Sequence, residues 1–336
     1  MKPAFLSLPR AEWAEYFVEA GTRQGLSPVI LEKDFWVCWM LGVLFESPFA
    51  DDMVFKGGTS LSKVFGVIDR FSEDIDLSLS PEFLKLPVAG ASRNQAHKWM
   101  ERAEAACSEA VRDELRPVLE SVIRDVLGAR DSAWLEFQTD ALTNSPVLLF
   151  HYPTTQPPRF DYLRRSVKLE FGSLTEQRPV ARHGVRTWLE DVFPAVFSDW
   201  SCEVVALEIE RTFWEKATIL HAEHYRPPGR PTPDRFSRHY ADTAALASHP
   251  AGAAAVDQTE TRDRVVQWKS QFFGSSWARY DLAVPGTFRL LPATDRVASL
   301  QRDYQAMKDM YLSEPVSFDT ILETLTRLEN RINDRS

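Results

Sequence analysis

Two acidic side chains one residue apart, Asp74 and Asp76 in Asp-Ile-Asp, are the residues of this sequence best placed to do chemistry. On an extended segment, alternate residues share a face. Carboxylates held side by side repel one another unless a cation lies between them. A divalent ion such as Mg2+ (or Mn2+) is the natural counter-charge, because it takes carboxylate oxygens and commonly shares its shell with substrate phosphates. Shortly before them runs Lys56-Gly57-Gly58-Thr59-Ser60. The glycines let backbone approach a ligand closely, and the free N–H groups of a helix starting near Thr59 favour an anion. The hydroxyls of Thr59 and Ser60 add donors, so a triphosphate fits the spot. Either feature alone is common in turns and solvated strands; together they describe a phosphate site with its cation.

Such a site needs a third acidic group and a positive charge. In Ser-Val-Lys-Leu-Glu-Phe-Gly, Lys168 and Glu170 lie two apart and share a strand face. Glu170 is the candidate to complete the metal set, with Asp140 as competitor, and Lys168 to offset phosphate charge. Each also suits an ordinary surface strand. His221 and His224 have a spacing that could ligate a metal, but no further His or Cys motif lies nearby. His239 and Tyr240 suit stacking on a base or packing in a core. A serine hydrolase is excluded by the absence of Gly-x-Ser-x-Gly, and a Walker loop by the spacing of Gly-Gly-Thr-Ser-Leu-Ser-Lys.

The elements that must position these residues can be read in order. Ala11 to Gly21 forms an amphipathic helix. A second opens at Ser27 with Pro28 in its first turn, and its apolar residues beyond Phe35 nearly encircle it, which predicts burial. Met53 to Phe55 is a short strand, and Thr59 can cap the helix that follows. Asp69 to Asp74 is a polar loop, and Ile75 to Leu79 alternate as a strand with Asp74 and Asp76 on one face. Asn94 to Leu127 is helical; Trp134–Thr139, Pro146–Tyr152 and Ser166–Phe171 are strands. From Leu207 the chain turns helical, with Pro227, Pro228, Pro231 and Pro233 making a stiff, mobile or partner-facing connection. Roughly Arg262 to Asn333 holds three more helices. The expected fold is α+β, with a mixed N-terminal domain over residues 1–200 and a helical lobe over 201–336.

Bulk properties narrow the setting. The 336 residues exceed the usual single-domain size, and 21 Phe with 10 Trp predict an aromatic core. Three separated cysteines without a Cys-x-x-Cys pair support neither a disulfide framework nor a thiolate zinc site. A reducing cytoplasm is expected. The N-terminus lacks a signal-like apolar run, and Glu32, Lys33 and Asp34 crowd the most apolar stretch too closely for a membrane span. The net charge of −9 argues against broad coating of nucleic acid. A local basic groove stays open: Arg164, Arg165 and Lys168 cluster, as do Arg226, Arg230, Arg235 and Arg238, though such runs are often solvated faces.

The block Phe55-Lys-Gly-Gly-Thr-Ser-Leu-Ser-Lys through Ser-Glu-Asp-Ile-Asp-Leu resembles motif I of the AbiEii/AbiGii toxin family, including MenT-type toxins, within the polymerase β-like nucleotidyltransferases. Looser blocks follow the family's order over roughly residues 25 to 250: 31–41, 167–172, 207–220 and 238–246. The resemblance implies a polymerase β-like domain, a mixed sheet with flanking helices, and then a mainly helical C-terminal lobe. It implies an enzyme that takes an NTP with Mg2+ and moves its nucleotide onto an acceptor. That acceptor is tRNA, at its 3′ end, for several members, in toxin–antitoxin or phage-defence systems with a cognate antitoxin. Gly58 and Ser60 would bind phosphate, within a nucleotide-binding set of Lys56, Gly57, Gly58, Thr59, Ser60, Ser72, Lys216 and Asp242. Asp74 and Asp76 would hold metal with Glu170, and Lys168 would be the catalytic lysine. The acid before the Phe-Trp-Glu-Lys block is Glu208 or Glu210, and spacing does not choose between them. Two further readings remain: transfer to a protein hydroxyl, including Ser72 itself, and an inert module that binds NTP or an antitoxin.

Overall fold

The computed structural model describes residues 3–87, 92–141, 143–156 and 165–334, so Arg164 lies outside the described residues. The chain divides into two compact units. The first runs to Ala206 apart from two short excursions; the second holds Leu207 onward, Phe65–Phe71 and the start of one helix. No helix among the described residues is long and apolar enough to cross a membrane.

The first unit is built on a seven-stranded sheet, ordered β3-β4-β5-β2-β1-β7-β6. Its strands are β1 (Met53–Lys56), β2 (Asp74–Leu79), β3 (Leu135–Thr139), β4 (Pro146–Phe150), β5 (Val167–Gly172), β6 (Val180–Val185) and β7 (Cys202–Leu207). The sheet is mixed: β2 pairs antiparallel with β1 and parallel with β5, while β1 pairs parallel with β7. Register sorts side chains between the two faces. Leu148, Leu169 and Ile75 lie in line across β4, β5 and β2, as do Phe55, Leu77 and Phe171 across β1, β2 and β5. All six are buried in one core with helix α2 (Pro28–Phe45). Lys56, Asp76 and Glu170 form the alternate row, beside Asp74 and Lys168.

Helix α1 (Arg10–Gln24) and α2 supply the aromatic part of this core. Phe5 packs on Phe35 at 4.8 Å, and Trp36 meets Phe150 at 5.8 Å and stacks on Tyr152 at 5.9 Å. The burial predicted for the later half of α2 extends further back than its apolar pattern. Glu32, Lys33 and Asp34, consecutive charges, are each only 1% exposed. Glu32 accepts from Thr154 Oγ1 at 2.7 Å and Thr155 N at 2.6 Å; Lys33 pairs with Glu73; Asp34 pairs with Lys63 and accepts from Trp188 N at 2.8 Å. Buried charges persist only when paired and hydrogen-bonded, and here each charge ties α2 to a different element.

Three shorter helices complete the unit: α3 (Gly57–Lys63), α5 (Arg116–Leu127) and α6 (Trp188–Val192), with α4 (Arg93–Glu109) leading into α5. The stretch expected as one helix is interrupted by a π-helical turn at Ala110–Leu115. Pro117 explains it, since proline has no N–H to donate and crowds the carbonyl four residues back. Strands β6 and β7 were not anticipated from the sequence.

The second unit is helical, as expected: α7 (Ile209–His224), α8 (Ser237–Ser248), α9 (Pro250–Ala255), α10 (Thr259–Phe272), α11 (Val297–Ala306) and α12 (Phe318–Asn333). Helix α12 buries Ile321, Leu325, Leu328 and Ile332, a stripe at helical spacing. The segment Phe65–Phe71 joins this unit through Phe71 N donating to Met310 O at 2.7 Å. The proline-rich connection is held by Arg296, which donates to the carbonyls of Pro227 and Arg230, both at 2.8 Å, and to Thr232 Oγ1 at 2.7 Å. A guanidinium's fixed fork of donors suits several carbonyls at once.

Candidate active site

The polar face of β2 carries Asp74 and Asp76, as alternation requires, with Ile75 buried on the opposite face. Across the ladder Asp76 stands opposite Lys56 on one side and Glu170 on the other, while Asp74 stands opposite Lys168. Immediately after Lys56 the backbone turns at Gly57 with φ of +83°, a conformation that glycine adopts freely. A Cβ at residue 57 would fall 2.0 Å from Asp76 Oδ2. The carboxylate therefore lies directly against the glycine where α3 begins.

Helix α3 starts at Gly57, two residues earlier than expected, with Lys56 in the cap position. Thr59 is thus inside the first turn rather than a cap. Its hydroxyl pairs with Ser72 Oγ at 2.9 Å and donates to the Asp74 carbonyl, which fastens the start of α3 to the start of β2. Ser60 Oγ is fully buried and has no hydrogen-bond partner among the described residues. An orphaned buried hydroxyl beside the free N–H groups of a helix start is a donor set suited to an anion.

Electrostatics mark the same place. Burial, then the neighbouring Asp76 and Glu73, push Asp74 up to about 6, with Lys168 and Lys33 acting in the opposite direction. Carboxylates that resist ionising together are those a divalent cation would relieve. Burial works against the charge on Lys168, but bonds to Glu170 at 2.7 Å and Asp140 at 2.9 Å outweigh it and hold the ammonium above its ordinary range. Glu170, expected among metal ligands, is bonded to Lys168, its opposite charge on the same strand face. Asp140, the weaker candidate, is the lysine's second partner. Among the described residues no three His, Cys, Asp or Glu side chains gather as a metal cluster. The Asp74–Asp76 pair, the glycine cradle and the unpartnered Ser60 hydroxyl nonetheless fit a cation carried with a phosphate.

The remaining candidates belong to the second unit. Asp242, buried in α8, takes Arg70 in a bidentate pair, with Nε–Oδ1 and Nη2–Oδ2 both 2.9 Å, and Lys216 Nζ at 2.9 Å. Burial opposes its charge, yet the two cations hold it well below the usual carboxylate range. Arg70 was not singled out in the sequence, where it reads as part of a polar loop. Glu208 occupies the cap position of α7 and Glu210 its first turn. Both ring nitrogens of His221 are engaged within the protein, Nδ1 accepting from Arg289 N at 3.1 Å and Nε2 pairing with Arg279 O at 2.9 Å, while His224 Nδ1 pairs with Leu291 O at 2.8 Å. Tyr240 is a core residue beside Phe318. Arg226 pairs inward with Glu223 at 2.6 Å, whereas Arg165, Arg230 and Arg235 are exposed. Burial pushes Cys107 and Cys202 up to about 12, and Cys38 well above its ordinary value, as inert thiols require.

A mixed sheet whose paired carboxylates abut a glycine-hinged helix start is the framework of a nucleotidyltransferase. Known proteins agree. The profile of the family described as nucleotidyl transferase AbiEii toxin, type IV toxin–antitoxin system, matches residues 39–324. The chain belongs to this family: it is a nucleotidyltransferase toxin of the type IV toxin–antitoxin class. Its fold is similar to that of MenT4, a nucleotidyltransferase toxin from Mycobacterium tuberculosis H37Rv. The two are 16% identical and superpose with a TM-score of 0.50 over 98% of this chain and 91% of that one. None of the curated proteins matches the sequence.

Proposed function

We propose that the chain moves a nucleotide from an NTP onto the 3′ end of tRNA in a Mg2+-dependent reaction, blocking translation in the cytoplasm until an antitoxin intervenes. The observation that carries the reading is the Asp76 carboxylate resting on Gly57, because it joins a cation ligand to a phosphate cradle. Asp74 and Asp76 hold the cation. The α3 backbone N–H groups and the Ser60 hydroxyl bind the β and γ phosphates. Lys168, kept charged by Asp140 and Glu170, faces the charge that builds on the phosphates. Mg2+, when bound, supplies charge neutralisation and lowers the pKa of a coordinated hydroxyl. The acceptor oxygen bonds to the α-phosphorus as the bond to the bridging oxygen breaks; pyrophosphate leaves and the hydroxyl proton passes to solvent. Little covalent chemistry falls to the protein, so positioning dominates. In the second unit, Lys216, Arg70 and Asp242 act together as a fixed ionic anchor.

Family membership supports an antitoxin partner, and exposed Arg165, Arg230 and Arg235 are suited to RNA phosphates. Incubation with α-32P-labelled NTPs, Mg2+ and total tRNA tests the reading. Label on RNA, lost in Asp76→Asn, is the expected result. Label on protein alone would transfer the assignment to a protein hydroxyl, and no label with any NTP would leave an NTP- or antitoxin-binding module.

A further inference from the structure

We propose that the cavity between helix α5 and the start of β3 binds the phosphate backbone of the acceptor RNA, outside the nucleotide-transfer site. The inference rests on the reading of tRNA as the acceptor. The cavity holds about 500 Å3 and is lined from α5 by Arg116, Glu120 and Arg124. These lie four residues apart and so share one helix face. The loop that leads into β3 contributes Arg130, Asp131 and Ser132.

The cations here are under-compensated. Among the described residues Arg116 is in no ion pair, and Asp113, three residues before it, is committed to Arg112 at 2.7 Å. Arg124 reaches Glu120 only at 4.0 Å. Both Glu120 oxygens are already taken, by Trp134 N at 2.9 Å and Leu135 N at 2.8 Å. Arg130 donates to the carbonyls of Ser132, Ala133 and His151 and lies 4.0 Å over the Trp134 ring. Carbonyl oxygens satisfy a guanidinium's donors without cancelling its charge. The cavity, with three arginines against two carboxylates, is thus net positive in a chain of net charge −9. All of its cations are arginine, whose planar fork matches phosphate oxygens.

A polymer suits this cavity better than a free nucleotide. Eight residues of helix separate Arg116 from Arg124, about 12 Å, a length over which one strand presents several phosphates. Register also sets the cavity at the catalytic end of the sheet. Leu135, the first residue of β3, is level with Phe150 of β4 and Val167 of β5. Val167 directly precedes Lys168, which stands opposite Asp74. Three strand spacings, about 14 Å, separate β3 from β2. Leu119 and Ile123 of α5 share the core with Leu148 and Leu169, so α5 leaves the carboxylate face of the sheet open. An RNA whose terminal hydroxyl sits at Asp74 and Asp76 would run its upstream phosphates past this edge.

The test uses the full chain and 5′-32P-labelled total tRNA, read by filter binding at a series of salt concentrations without NTP. Arg116→Gln combined with Arg124→Gln should raise Kd about tenfold and lower the salt slope of log K by about one to two. In transfer assays the KM for tRNA should rise by a similar factor. Asp131→Asn removes a repelling charge and should tighten tRNA binding about twofold. Melting temperatures check that each variant folds; if the arginine variant does not, Asp131→Asn still decides. Unchanged Kd and slope in the arginine variant, or binding no tighter in Asp131→Asn, overturn the assignment. So does loss of inorganic phosphate or free NTP binding with tRNA binding intact, which would make this a free-anion site. Failure of the unaltered chain to bind or label tRNA would instead overturn the acceptor reading, and this inference with it.

Discussion

Asp76 and Gly57 occupy one volume between them: the aspartate's Oδ2 sits where a side chain at 57 would have to begin, 2.0 Å from the Cβ position. The strand that bears the carboxylates and the turn that opens α3 are therefore fitted to each other at atomic contact.

Gly57→Ala should be far more harmful than an ordinary helix-start substitution. It forces alanine to φ of +83° and displaces the carboxylate. Strain of this kind costs about 1–3 kcal/mol, and a misplaced ligand should lower nucleotide transfer by about a hundredfold. Thermal unfolding and NTP-labelling assays separate the two contributions.

With Asp74 as the proposed cation ligand, cation binding should depend on pH. Its pKa, about 6, exceeds the ordinary 3.8, so folding favours the protonated acid. In the cation-free protein that stabilisation is complete at pH values below the ordinary value and is lost as pH rises through about 6. A divalent cation held by Asp74 would take the place of the proton. Calorimetric titration should find Mg2+ affinity falling as pH drops below about 6, and Asp74→Asn should remove the dependence. Mg2+ should raise the melting temperature more at pH 7.5 than at pH 5.

Lys168→Met should cut transfer by about two to three orders of magnitude, the usual cost of removing a charge that faces the transition state. The side chain is 22% exposed and its loss leaves Glu170 and Asp140 without their shared cation, so the melting temperature should fall as well and is measured alongside. Glu170→Gln and Asp140→Asn, which only loosen the lysine, should each cost less, measured as kcat at saturating NTP.

Asp242→Asn should act on stability. It leaves the buried cations Arg70 and Lys216 sharing a neutral amide, a loss of about 3–5 kcal/mol. Denaturant unfolding followed by tryptophan fluorescence, with Trp214 in α7 as a local reporter, measures it.

Arg296→Ala should free the proline-rich connection. With the carbonyls of Pro227 and Arg230 released, limited trypsin digestion should cut after the exposed Arg235, the first arginine of the connection not followed by proline, at a rate several times that of the unaltered chain.

What the sequence revealed was local. Gly57, Gly58, Asp74 and Asp76 stand within one short block, and their spacing carries strand, turn and helix directly. The strand with Lys168 and Glu170 was also recognisable from alternation, but its register against Asp74 and Asp76 joins segments far apart in the chain, which no local pattern encodes. Cys202–Leu207 is a valine-rich run bounded by helix, and its strand signal was available; Val180–Val185 is an exposed edge strand with no apolar alternation to find. The burial of Glu32, Lys33 and Asp34 was illegible because charged residues are by default exposed, and only their distant partners bring them inside. Arg70 met Asp242 across 172 residues and left no trace in either neighbourhood.

Those three adjoining charges at the front of α2 index the helix rather than merely anchor it. Successive helical residues project about 100° apart, so each bond is available in one rotational setting alone. A single residue inserted in α2 ahead of Glu32 would swing all three away from Thr155, Glu73 and Lys63 at once. Length in this helix is therefore constrained more tightly than composition, and a one-codon insertion there should be worse than any substitution among the three.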